Sequence, residues 1–233
     1  MEIRIIKKVM EKVKGDTFQI DNSISDSELF FIAVNKFCQY LRGIYRGIGI
    51  KGNKKKIFIG KKVILRNKKR IYMGSLIKIG DYTELDGLSK NGLRFGNNCS
   101  IGKHTTIRGT GSLASLGVGI TFGNNSSCAD YCFFGCSGGI IIGDDVIMGQ
   151  NVRFHAQSHN HQDTNVLIRK QGVTSKGIHV GNNNWIGSGV VILDGIKIGN
   201  NCVIGANTLV NRNIPSNSVA VGNPVRIIKN RVG

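Results

Sequence analysis

The chain has 233 residues, 40% of them hydrophobic and 7% aromatic, which allows one sizeable domain and excludes a disordered composition. Its formal net charge of +18 favours anionic partners such as nucleic acid, an anionic membrane surface or a polyanionic cofactor. No run approaches the ~18 apolar residues needed to span a bilayer, and the N-terminus MEIRIIKKVMEKVKG lacks an apolar signal stretch, so a cytoplasmic protein is the expectation.

The charge is uneven. Residues 1–80 carry 19 Lys and Arg against 6 Asp and Glu, a net +13, and residues 81–233 carry 13 against 8, a net +5. The excess gathers at Lys54-Lys55-Lys56, Lys61-Lys62 and Lys68-Lys69-Arg70. A solvated basic face and an anion-binding face explain it equally.

Residues 1–56 form a basic, partly helical N-terminal segment. Ile3, Ile5, Ile6 and Val9 fit a short helix or an edge strand. Ser25-Asp26-Ser27-Glu28 reads as a capping box. After it, Leu29 to Tyr45 is helical in pattern, with Phe30, Val34, Phe37, Leu41, Ile44 and Tyr45 apolar and Lys36, Arg42 and Arg46 polar. Gly43, Gly47 and Gly49 end it. Such a helix packs on the domain, or lies on a membrane surface beside the lysines.

From Ile57 a six-residue beat takes over. An aliphatic or aromatic residue followed by Gly recurs at Ile59, Ile79, Phe95, Ile101, Phe122, Phe134, Ile142, Met148, Val180, Ile186, Ile198 and Ile204. A helix cannot hold a period of six. Short strands of a parallel β-helix can, with anchors stacked inside and Gly at the corners. Residues 57–222 then make eight to nine coils of three hexads. The beat breaks near 86–92, 108–119, 136–141 and 155–177, where loops are pushed outward. Cys99, Cys132 and Cys202 fall on repeat positions and read as packed core.

The longest break, 155–177, holds His155, His159 and His161 in a polar segment. A rigid frame interrupted once at a histidine cluster marks a candidate site. His104 and His179 read as structural.

The text IIGDDVIMGQNVRF, SHNH, GNNNWIGSGVVILDGIKIGNNCVIGANTLV and NIPSNSVAVGNPVRIIK, from Ile142 to Lys229, resembles the hexapeptide-repeat acyltransferases. Within them it is most similar to the maltose and galactoside O-acetyltransferases and to the acetyltransferases of surface-polysaccharide synthesis. The resemblance implies an all-β, left-handed parallel β-helix with a short N-terminal helix, a projecting loop and a tail, 223–233, on the CoA side. It implies His159 as catalytic base. It also implies acetyl-CoA as donor, contacted by Trp185, by backbone N–H groups at Ser188 and Ala206, and by Asn211, Arg212, Arg226 and Lys229. Asp130 stands where those enzymes place an Asn against the acceptor, and His161 lies on the substrate side. The family also implies a homotrimer with sites between neighbours.

These residue types suit acyl transfer. An imidazole takes the proton of an attacking hydroxyl. Backbone N–H groups meet the developing oxyanion. Cations grip phosphates. No metal and no cysteine nucleophile are required. The expectation is an acetyl-CoA-dependent O-acetyltransferase acting on a saccharide, with attachment to an anionic membrane as an additional expectation and no nucleic-acid partner. Alternatives are N-acetylation of an amino sugar, a basic binding module for membrane or nucleic acid, and a γ-carbonic-anhydrase-like zinc enzyme using His155, His159 and His161.

Overall fold

In a computed structural model the described residues are 20, 21, 23–53 and 55–231. Ile3, Ile5, Ile6 and Val9, for which sequence allowed helix or strand, lie outside them, as does Lys54. The chain winds as a left-handed parallel β-helix with three flat faces.

The first face stacks eight parallel strands, from Phe58–Ile59 through Ser127–Cys128, Ile147–Met148, Trp185–Ile186 and Val203–Ile204 to Ser218–Val221. The second stacks seven, from Ile64–Arg66 through Phe133–Gly135 and Arg153–His155 to Leu209–Val210. The third stacks six, from Ile71–Met73 through Ile140–Ile142 and Ile178–Val180 to Lys197–Ile198, and Ile214 bridges onto Ile198. The described chain thus makes seven coils and one further rung, short of the expected eight to nine. Where no insertion intervenes a coil is three hexads long: Trp185 pairs with Val203, 18 residues on.

Inward positions form buried ladders. Ile59, Ile79, Ile101, Cys128, Met148, Ile186, Ile204 and Ala220 line the first face. Phe134 and Phe154 on the second stack at 4.9 Å, and Phe95 and Phe122 on the third at 5.3 Å. Cys99, Cys132 and Cys202 are buried, as the repeat predicts.

The corners work differently from the expectation. The Gly after each anchor does not supply a left-handed backbone. It supplies space, since a Cβ at Gly80 would lie 2.5 Å from the Lys103 amide nitrogen of the next coil. The left-handed residue comes two places later and is mostly not glycine: Tyr82, His104, Tyr131 and Asn151 at one corner, Asn98, Asn125, Asn183 and Asn201 at another. Asn tolerates that conformation better than most residues. Its side chain also ties coils together, as in Asn183 Nδ2 to Asn201 Oδ1 at 2.8 Å.

All long insertions leave from the third corner, between the second and third faces. Residues 87–92, 109–119 and 156–177 each fall between a second-face strand and the next third-face strand. The helix Asp26–Arg46 sits at the first coil. Ser25 caps it, accepting from the Glu28 amide while its own amide donates to Glu28 Oε2. Gly43 lies against the Ile57 carbonyl, and Arg42 Nε donates to Ile59 O at 2.8 Å. At the other end Arg226–Asn230 folds back antiparallel onto Ser218–Val221.

Candidate active site

The histidine loop begins where the strand Arg153–His155 ends. His155 remains on the coil, half-buried, its ring 5.5 Å from Phe133. Burial, and then the nearby Arg153 charge, hold its pKa below the ordinary 6.5. The chain then projects as a two-strand ribbon in which Ser158 pairs with Thr174 and His159 with Val173. Asn160 braces the ribbon: its Nδ2 donates to Gln171 O at 3.0 Å, and its Oδ1 accepts from Thr174 Oγ1 at 2.7 Å. Gln171 Nε2 closes the tip onto the carbonyls of Asp163 and Val166. His159 is exposed on this ribbon, and its carbonyl lies 3.1 Å from His161 Nδ1.

The three loop histidines therefore do not converge. Among the described residues no three His, Cys, Asp or Glu side chains gather as a metal cluster.

Ser188 and Ala206 occupy one column at the second corner, the one between the first and second faces, on successive coils. The Ser188 carbonyl accepts from the Asn207 amide at 2.8 Å. Higher in the column the amides of Lys61 and Lys103 donate to Asp81 and Asp130 side chains, each at 2.7 Å. The amides of Ser188 and Ala206 have no partner among the described residues. Like the amides of Asp81, Asp130 and Gln150 in the same column they are free donors, and both sit on exposed residues, one coil apart. Trp185, 58% exposed, stands beside them on the first face, with Ile147 exposed next to it on the preceding rung.

The remaining predicted residues are spread out. Asn211 and Arg212 are exposed at the third corner of the seventh coil, and Arg226 and Lys229 on the terminal antiparallel strand. Asp130 is a corner residue, its Oδ1 held by the Lys103 amide. His159 stands at the third corner and the Ser188–Ala206 column at the second. One chain thus brings Ser188, Ala206 and Trp185 together, with Asp130 two coils away in the same column, but does not bring His159 into the group. Of the histidines read as structural, His104 is exposed and sandwiched between Tyr82 and Tyr131 at 4.8 and 4.9 Å, and His179 points outward from the third face. Sequence reasoning missed Asn160. Its flanking by two histidines hid the signal, because a ribbon across residues 158–174 cannot be read from a polar stretch without periodicity.

Three flat faces, hexad corners and a projecting ribbon define a hexapeptide-repeat β-helix. Residues 177–212 match the family model "Bacterial transferase hexapeptide (six repeats)", so the chain carries the repeat of that family. It is 30% identical over 161 residues to a probable acetyltransferase of Mycobacterium tuberculosis, an alignment covering 69% of this chain and 50% of that protein. It is 44% identical over 93 residues to the galactoside O-acetyltransferase of Escherichia coli, covering 39% and 43%. The chain thus spans about half the length of these curated relatives. Among solved structures it shares the fold of a variant of AntD, an N-acyltransferase from Bacillus cereus, in complex with dTDP-4-amino-4,6-dideoxyglucose and coenzyme A. The TM-score is 0.52 at 19% identity, over 81% of this chain and 88% of that one.

Proposed function

We propose that the protein is an acetyl-CoA-dependent O-acetyltransferase, acting as a cytoplasmic homotrimer on a sugar hydroxyl of a surface polysaccharide or its precursor. The observation that carries this reading is the pair of unpartnered amides at Ser188 and Ala206, one coil apart beside exposed Trp185. Such a column suits an extended thioester donor, whose carbonyl and amide oxygens need donors and whose chain runs along the corner. Similarity to a galactoside O-acetyltransferase supports the acceptor class.

His159 serves as base. Its imidazole takes the hydroxyl proton as the sugar oxygen attacks the thioester carbonyl carbon. The Ser188 amide donates to the oxygen as it gains negative charge. The C–S bond then breaks, acetyl stays on the sugar, and the imidazolium returns its proton to the CoA sulfur. Arg212, Arg226 and Lys229 supply positive charge for the CoA phosphates, with Asn211 alongside. Asp130 and His161 face the acceptor. Because His159 and the Ser188 column stand at different corners of one chain, the reading requires a neighbouring copy to complete each site.

The test is His159→Ala. It should bind CoA and keep its oligomeric state by light scattering, while transfer to a galactoside or oligosaccharide acceptor falls ~10²- to 10⁴-fold. Near-full activity would remove His159 as base. A monomer with full activity would remove the shared site. Asp130→Asn keeps an oxygen for the Lys103 amide, so an altered acceptor KM with unchanged stability would assign Asp130 to the acceptor.

A further inference from the structure

The helix Asp26–Arg46 buries little of itself. Only Leu29 and Gly43 are buried. Phe30, Phe31, Val34, Phe37, Leu41, Ile44 and Tyr45 are exposed, Phe31 by 70% and Tyr45 by 76%, and Ile48 just beyond continues the set. At 100° per residue the side against the coil is marked by Tyr40, beside Phe58, Arg42, on the Ile59 carbonyl, and Gly43, on Ile57. Those seven helix residues fill a separate arc of about 140° facing away from it, and exposed Ile32 lies outside the arc. Folding that leaves such an arc in water has not finished burying it.

Charge says what covers it. Exposed Lys55 and Lys56 lie at the end of the helix, Lys68 Nζ donates to Arg46 O in its last turn, and Lys51, Lys61, Lys62 and Lys69 are exposed on the adjoining first coil, while the helix's only acidic residues are Asp26 and Glu28 in its first turn. A groove lined by Tyr40, Ile44, Ile48 and Ile57 opens beside Lys55 and Lys56. Two like-charged copies meeting here would repel. An anionic surface with an apolar interior meets both the arc and the lysines. The arc is also wider than the narrow seam of a helix pair and rich in Phe and Tyr, as in helices lying in a bilayer interface. No described helix is long and apolar enough to cross a membrane.

We propose that this helix docks the protein flat on an anionic phospholipid bilayer, with Phe30, Phe37, Leu41 and Ile44 inserted below the headgroups and the Lys55–Lys56 region against them. The docking is independent of the acyltransferase reading and uses none of its residues.

The experiment is flotation of the full chain with vesicles of phosphatidylcholine alone and of phosphatidylcholine with about one third phosphatidylglycerol. The unaltered protein should float with the anionic vesicles, and less so as salt shortens the Debye length from ~10 Å at 0.1 M towards ~3 Å at 1 M. Phe37→Glu with Leu41→Glu should weaken flotation at least about tenfold, and Lys55→Glu with Lys56→Glu should do likewise. Circular dichroism and light scattering should be unchanged in both. Absence of flotation with anionic vesicles, or unchanged flotation of the two variants, overturns the proposal. A change of oligomeric state on Phe37→Glu with Leu41→Glu, without flotation of the unaltered protein, assigns the arc to a second copy instead.

Discussion

At Gly80 a methyl group has nowhere to go, because the next coil's backbone already lies against the Cα. Gly80→Ala should therefore cost about 1–3 kcal/mol through overpacking, read as a lower urea midpoint with unchanged slope. The opposite case is Asn201, left-handed at φ 59. Asn201→Ala should cost about 1–2 kcal/mol from the backbone alone. The hexad anchors were legible because a buried ladder demands an apolar residue every sixth position. The division of labour at the corner was not, because a Gly needed for close approach and one needed for a left-handed turn look alike in sequence. His155 has a separate signature. Its folded pKa lies below the ordinary 6.5, so the folded state prefers the neutral ring. That contribution to stability is present above 6.5 and is lost as pH falls through the lowered folded value. His155→Gln should flatten the fall in urea midpoint between about pH 7 and 5.

The N-terminal helix and the histidine ribbon were legible to different degrees. Ser25 and Glu28 announce the helix start, and the cap forms as the motif requires. Which side would face the body was not legible, since apolar residues run most of the way round and only Leu29 and Gly43 are buried. The ribbon was legible only as a break in the beat, and its pairing depends on Asn160 reaching Gln171 and Thr174. Asn160→Ala should free the ribbon without touching the coils. On the proposed chemistry, kcat falls while CoA affinity and melting temperature hold. Faster amide exchange confined to 158–174 would mark Asn160 as a positioning residue, and unchanged exchange would remove that role.

Over the whole molecule, the insertions explain why fewer coils form than residue count alone allows. Ile147 pairs with Trp185, 38 residues on, where an uninterrupted coil takes 18. Three of the four breaks read from the sequence, at 86–92, 108–119 and 155–177, are insertions, whereas 136–141 is a short corner that runs into the strand Ile140–Ile142. That the insertions share one corner was not visible in sequence, because it follows from which of three faces each strand joins. The arrangement separates lobe from frame, since strands after the loop return to the rung they would have occupied without it. Replacing 160–172 with a short Gly-Ser turn should leave far-UV circular dichroism and the melting temperature nearly unchanged while abolishing transfer. A collapse of the melting transition would show that the lobe holds the coils together.

The two ends of the molecule are finished by unlike pieces. Interior rungs of the first face each have a neighbour on both sides, but the outermost rungs would present free rows of N–H and C=O groups. Such rows are templates for another chain. Arg226–Asn230 covers one by running antiparallel along Ser218–Val221, and the helix covers part of the other, where Arg42 takes up the Ile59 carbonyl and Gly43 lies on Ile57. A stack of identical rungs carries no length of its own and could grow by adding copies end to end. These two pieces stop such growth at the two ends of the described coils, so clipping either by proteolysis is a route from a discrete particle to a fibre.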